Sequence, residues 1–379
     1  MKQLENKIRN YIEQNGPVNF EKFMDFALYD TEYGYYTRNI NGIGKSGDFY
    51  TSPAVHNAFG KTISNFILKC STEINSSDFA IVELGSGQGY LAMDILDNLR
   101  DKHAGLYETI TYYCIDKSGC NSDFSQNLLC NHKSRVRYLN NMTGLERSIR
   151  GIFISNEFFD SIPFRRFKFL NGKPYEILVT ATGNDFTEIL EEVGDDVLKK
   201  KMYDFSSHLA EGQQFEINTR MEDIIRNISG ALVSGFILTF DYGYLQQELY
   251  NPERFSGTYR CFYNHTISEN PYINIGLQDI TCSIDFSSII NSGEKFGFRT
   301  MKYITQGQFL VDWGILDIID KSPEIERAGI KNLMLPQTMG DKFKALLQYK
   351  NLKFQDSEFY PESEFRISYQ SINDRLDDF

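Results

Sequence analysis

The sequence predicts an α/β protein built on a mostly parallel sheet, and three observations carry that reading. From residue 79 onward, short apolar runs alternate with amphipathic helical patterns. One of these runs, Ile81 to Leu84, passes straight into a helical pattern marked by Leu91, Ile95 and Leu99, through a turn holding three glycines. The third observation is that Asp116, Glu157 and Asp241 each stand at the end of an apolar run, where open α/β sheets place their chemistry. With 379 residues and 41% apolar content, the chain is long enough to bury a substantial core.

Taken in order, Leu4, Ile8, Tyr11 and Ile12 mark an amphipathic helix that Asn15-Gly16-Pro17 stops, and Phe20, Phe23, Met24, Ala27 and Leu28 mark a second. The aromatic stretch YDTEYGYY (29–36) reads as packing surface, and a polar, glycine-rich run leads to GDFYTSP. Ser52 followed by Pro53 predicts a helix start with Ser52 as its cap, carrying Val55, Ala58, Phe59, Phe66 and Ile67 inward. Asp48, just ahead of it, sits where a loop could close over a ligand. Strands are expected at 79–84, 109–116, 136–140, 151–156 and 234–243, with Ser118 capping a helix that runs to about Cys130. Residues 164–190 alternate like a β-hairpin around Asn171-Gly172. Near the end, the patterns predict a helix at 286–296, a strand at 298–304, helices around Trp313 and from Asp341 to Leu347, and a last strand at 354–362. Two segments follow: an N-terminal helical cap, 1–78, and a core, 79–379, with β-rich insertions at about 163–214 and 244–285.

The glycine turn carries the chemistry. Gly85, Gly87 and Gly89 form G-x-G-x-G rather than the G-x-G-x-x-G of dinucleotide binders, and Glu83 stands two positions before the first glycine. This combination resembles motif I of class I S-adenosylmethionine (SAM) methyltransferases, in which the loop passes the amino-acid end of the cofactor and an acid helps to hold it. Asp116, at the tip of the second strand, is placed to accept both ribose hydroxyls, in SAM and NAD enzymes alike. A nicotinamide-dependent oxidoreductase is therefore a rival, disfavoured by the glycine spacing; a non-catalytic assembly factor that keeps the SAM-binding fold is another.

With ALYDTEYGYY, SGDFYTSP, VELGSGQG, SNEFFDSIP, FDYG, GTYRC with the nearby NH, QDITCSIDFS and MGDKFKAL in this order, the chain resembles the MidA family of SAM-dependent methyltransferases from about Phe23 to Gln348. The resemblance implies a Rossmann-like, mostly parallel seven-stranded sheet, SAM as cofactor, and symmetric methylation of an arginine on a core subunit of respiratory complex I, in support of its assembly. Ser86 stands where many members carry proline. A guanidinium stays protonated in water and is a poor nucleophile, so acids are needed to grip and aim it. Glu157, Asp160 and Asp241 are the expected catalytic acids; Glu83, the three glycines, Asp116 and Asp48 the cofactor residues; Tyr242, Arg260 and His265 the contacts with the acceptor.

Composition bounds the partners. A net charge of −12 argues against nucleic-acid binding. The six cysteines show no C-x-x-C pair and no zinc-like spacing, so reduced thiols and no metal are expected. No stretch approaches about 18 uninterrupted apolar residues, so no membrane span is expected. The opening MKQLENKIRNYIEQNG has neither an apolar signal core nor an Arg-rich transit pattern, which predicts a cytoplasmic, bacterial-type chain.

Overall fold

Seven strands form the main run of an eight-stranded sheet, six of them expected as strands and the seventh from a segment expected to be helical; the eighth, Ile284–Asp285, pairs in parallel with Gly243 and Tyr244. The computed structural model describes residues 2–38, 51–117, 123–183, 185–354 and 356–360. In chain order the seven strands are β1 (Phe79–Leu84), β2 (Thr111–Ile115), β3 (Val136–Leu139), β4 (Ile149–Asn156), β5 (Leu232–Tyr244), β6 (Arg299–Thr305) and β7 (Phe343–Lys350). In space they run β3-β2-β1-β4-β5-β7-β6. β1 to β5 pair in parallel, whereas β7 lies antiparallel to both its neighbours. All six residues of β1 are buried, which is why its sequence reads as a continuous apolar run rather than an alternation.

Because β1 is followed by β2 on one side while β4 lies on the other, the strand order reverses between β1 and β4. Ligands bind in such sheets outside the carboxyl ends at that reversal. There Leu84 is opposite both Ile115 and Ser155, and Asn156 is opposite Phe240. Helices Ala58–Ile74 and Tyr90–Lys102 bury Phe59, Ile63, Phe66, Leu91, Ile95 and Leu99 against Ile81, Ile152, Phe236 and Leu238. Phe66 meets Trp313 edge-to-face at 5.0 Å.

The chain divides into two compact units, both discontinuous. The first draws on Met1–Phe49, Phe159–Ile224 and Gly243–Asn291; the second, which holds the sheet, on Tyr50–Phe158, Ile225–Tyr242 and Ser292–Phe379. In the first unit, helices Lys2–Asn15 and Phe20–Tyr29 share a core of Leu4, Ile8, Phe20, Phe23, Phe164, Val179, Tyr259 and Ile280. Five strands of this unit form an antiparallel sheet: Val18–Asn19, Arg165–Leu170, Lys173–Thr182, Asp185–Glu192 and Gln214–Ile217. The expected hairpin turn is there, with Asn171 and Gly172 at φ 52° and 73°, the left-handed pair that a tight two-residue turn requires.

Three expectations about local structure are corrected. The helix expected from Asp341 to Leu347 is overturned: residues 343–350 form β7, because the buried run FKALLQYK fits a central strand as well as a helix face. Residues 356–359 are a short helix and not the last strand. The helix expected from Ser52 is two helices, Ser52–Val55 and Ala58–Ile74, split at His56, whose backbone is extended. The compact units also differ from segments 1–78 and 79–379: the apolar face of Ala58–Ile74 is buried in the sheet's own core, so this helix belongs with the sheet.

Candidate functional site

The glycine loop is held at both ends by the backbone. The Gly85 N–H donates to Ile115 O at 2.8 Å, which ties the start of the loop to the tip of β2, and the Gly89 N–H donates to Ser86 O at 2.8 Å. All three glycines have positive φ. At Gly85 a Cβ would stand 2.8 Å from the Phe158 ring, so a side chain is excluded there by contact as well as by conformation. At Gly87 no atom of the described residues lies within 4 Å of where a Cβ would stand. The backbone at Gly87 therefore faces open space, as a loop that lets a ligand approach its main chain must. Its N–H donates to Asp116 Oδ2 at 2.9 Å, so the tip of β2 and the loop form one constellation. These features fit a SAM-type ligand.

Glu83 lies beneath this loop, 3% exposed. Burial pushes its carboxyl up to about 8; the hydrogen bond from Tyr112 opposes the rise and Asp116 adds to it. The Tyr112 hydroxyl donates to Glu83 Oε2 at 2.7 Å. Tyr112 lies opposite Ile81 on the neighbouring strand, and Glu83 is two residues further along, so both side chains share one face. Sequence reasoning passed over Tyr112; its place in the strand TYYCI on the Glu83 face was the available signal.

Just past the end of β4, and three residues before β5 itself ends, Glu157 and Asp241 come together. The Glu157 N–H donates to Phe240 O at 2.9 Å, one step past the last paired residues, and Asp241 follows directly, fully buried, accepting the Tyr242 N–H at 2.9 Å. Glu157 has φ 50°, a left-handed backbone at a non-glycine residue. Such strain clusters at functional sites. Glu157 Oε1 accepts the Ser52 N–H at 3.2 Å and the Asn156 side-chain amide at 3.1 Å. Helix Ser52–Val55 has Thr51 at its cap position with no side-chain cap bond, so Glu157 supplies that acceptor from another strand. Ser52, expected as the cap, is instead the first helical residue, and its hydroxyl meets buried Gln306 Oε1 at 3.2 Å.

Thus Glu83, the three glycines, Asp116, Glu157, Asp241 and Tyr242 all lie in the second unit. Asp160, Arg260 and His265 lie in the first. Asp160 is buried and its carbonyl accepts the Cys282 N–H at 3.2 Å. The Arg260 guanidinium donates to its neighbour's carbonyl, Tyr259 O, at 2.7 Å and stands 3.5 Å from Glu269. His265 is exposed in a tight turn, at φ 59° beside Asn264 at φ 47°. Asp48 lies outside the described residues. Among the described residues, no group of three or more His, Cys, Asp or Glu side chains could hold a metal, and no helix is long and apolar enough to cross a membrane.

Comparison with known proteins identifies the kind of site this is. Two crystal structures from Burkholderia thailandensis superimpose with a TM-score of 0.85. One, a superfamily member bound to S-adenosyl-homocysteine, is 24% identical over 93% of each chain; the other, in native form, is 23% identical over 96% of this chain and 95% of that one. Curated relatives include the mitochondrial protein arginine methyltransferase NDUFAF7 homolog of Drosophila melanogaster, 24% identical, covering 94% of this chain and 87% of the relative. The NDUFAF7 proteins of Danio rerio and Homo sapiens are 26% and 25% identical, covering 86% and 90% of this chain and 82% of each relative. Residues 62–304, which span the glycine loop, Glu157 and Asp241, match the family model described as "Putative S-adenosyl-L-methionine-dependent methyltransferase", and the chain belongs to this family of SAM-dependent methyltransferases.

Proposed function

We propose that this chain is a protein-arginine methyltransferase of class I fold, and that Glu157 and Asp241 hold the acceptor guanidinium. The observation that carries the reading is Glu157 itself: a strained, left-handed acid at the end of β4, followed by the residue that packs on Gly85 and adjoining a buried aspartate on β5. When bound, SAM supplies an electrophilic methyl group on a sulfonium, so the chain's own task is positioning and electrostatics. Two carboxylates on adjacent strands suit a planar cation, because a fork gripped from one side keeps its charge on the gripped nitrogens and leaves the remaining one to be aimed. Gly87, Asp116 and the start of helix Tyr90–Lys102 would hold the cofactor, with Glu83 beneath. The roles of Asp160, Tyr242, Arg260 and His265 are proposed from the family resemblance, as is that of Asp48.

The names of the curated relatives support arginine as the acceptor. A core subunit of respiratory complex I is the acceptor that the resemblance implies and the first to test. Purified chain, labelled SAM and that subunit are incubated together, and peptides are read by mass spectrometry. Methylarginine that is lost in Glu157→Gln supports the reading; transfer to another residue type, or none to any arginine of the subunit, removes it.

A further inference from the structure

The strand Asp185–Glu192 of the first unit pairs along one edge with Lys173–Thr182 over eight consecutive residues without a bulge. Among the described residues, no strand lies along its other edge. Natural edge strands are blunted by shortness, bulges, proline or charge, lysine above all; this one is eight residues long with no bulge, proline or lysine, and the charge it carries would repel acidic strands and not basic ones. It exposes Ile189 and Leu190, and its charges, Asp185, Glu188, Glu191 and Glu192, are all acidic.

Those acids differ in how they are balanced. Glu188 is paired with Arg166 and accepts the Tyr272 hydroxyl at 2.8 Å, and Glu192 stands 3.9 Å from Lys173. Glu191 lies directly across from Glu176, whose carboxylate is taken by Arg165, and makes no ion pair among the described residues. Acids opposite one another in a sheet repel, so this corner favours an incoming cation. The strand already shows how it takes one. Arg9 donates to the carbonyls of Gly183 and Asp185 at 3.0 and 3.4 Å, with its guanidinium 4.3 Å from the centre of the Phe186 ring.

We propose that the outer edge of Thr187–Glu192 docks an extended, arginine-bearing segment of a protein partner, which adds to the sheet as one more strand. That the partner carries arginine rests on the function proposed above; that the edge takes a strand does not. Main-chain pairing would give the affinity and the acids the choice of partner. A second copy of this chain is the wrong occupant, since pairing the edge with itself sets acid against acid. The chain's own last residues, 361–379, are also net acidic, with Glu362, Glu364, Asp374, Asp377 and Asp378 against Arg366 and Arg375.

The probe is an N-acetylated, C-amidated peptide of four Arg-Val repeats, with four Arg-Pro repeats as a control of equal charge that cannot form a strand. Hydrogen exchange of the full chain is followed with each. The Arg-Val peptide is expected to slow exchange within Thr187–Glu192 by roughly tenfold or more, as new main-chain bonds should, and Glu191→Lys to weaken its binding by roughly tenfold. The Arg-Pro peptide should leave these amides unchanged. Equal binding of both peptides, protection elsewhere or none, or binding unaffected by Glu191→Lys overturns the proposal. So does protection of Thr187–Glu192 without peptide that disappears on removing residues 361–379 or on dilution, because the occupant is then the tail or a second copy. If the Arg-Val peptide docks there while no arginine of the complex I subunit receives a methyl group from SAM, the docking edge stands and the arginine chemistry falls.

Discussion

Replacing Glu157 in turn by glutamine, glycine and alanine separates three things the residue does at once. Its left-handed backbone costs about 1–2 kcal/mol for any residue with a Cβ, and its side-chain oxygen caps a helix that has no side-chain cap of its own, worth about 1 kcal/mol. Glutamine keeps both the strain and an oxygen acceptor for the Ser52 and Asn156 donors, so stability should stay within about 0.5 kcal/mol of the parent. Glycine loses the cap but relieves the strain, and these offset to near zero. Alanine loses the cap and keeps the strain, so it should be the least stable, by about 1 kcal/mol. Methyl transfer should follow another order: all three lose the charge, and all three should fall by roughly 10²-fold or more, as for loss of a positioning group. Denaturant unfolding and turnover with labelled SAM are measured on the same preparations. Alanine as stable as glycine would refute the accounting of strain and cap; a glutamine variant with full turnover would remove the carboxylate from the mechanism.

Three further outcomes follow from the same geometry. Gly87→Val meets no atom of the described residues but takes the space at the loop's open face, so calorimetry should show SAM affinity reduced more than tenfold in a protein that still folds; undiminished binding would reassign the loop. Glu83 is held neutral up to about 8 when folded, against an ordinary value of 4.5, so the folded state keeps a proton that the unfolded state has lost, and stability should fall as pH rises from 4.5 to about 8, by at most about 1.4 kcal/mol per unit. Glu83→Gln should make that decline shallower, leaving the part due to Asp94, which burial pushes up to about 7, and to Glu216 and Asp285, which burial also raises; an unchanged slope in melting experiments between pH 5 and 8 would contradict the burial argument. Deleting residues 1–78 removes helix Ala58–Ile74 with Phe59, Ile63, Phe66 and Ile67 from the sheet's core, so the fragment should be insoluble or unfolded, and a soluble fragment with a cooperative melt would count against this.

What could be read from the sequence followed the physics of local signals. β1 and its glycine loop were legible because a buried parallel strand, a tight turn and an amphipathic helix each leave a period or a glycine. The same logic found Asp116 and Glu157 just past their strands and the Asn171-Gly172 hairpin, whereas β5 runs on three residues beyond Asp241, the expected strand end. The stretch from Asp341 to Leu347 reads as a helix where β7 stands, because an apolar run buried on both faces has no period that separates strand from helix. The cap at Ser52–Val55 was misread because its acceptor, Glu157, comes from 105 residues away, and no local pattern records it. Tyr112 was passed over for a similar reason: its meaning depends on register with β1, which only pairing fixes. The two units were illegible because neither is a continuous stretch of chain.

That discontinuity bears on how the protein is made. The core of the first unit joins Leu4, Ile8, Phe20 and Phe23 to Tyr259, Cys261, Ile275 and Ile280. At about 5–20 residues per second, a ribosome takes roughly 15–50 s to travel from one group to the other. Phe164, Val179 and Phe186 arrive part-way through that interval, but until its end the apolar faces of the first two helices lack the partners that come last. A translating cell must therefore shield an incompletely covered N-terminal segment until synthesis is about three-quarters complete, and conditions that deplete holdase chaperones should cost this protein more yield than one whose first unit closes within its first hundred residues.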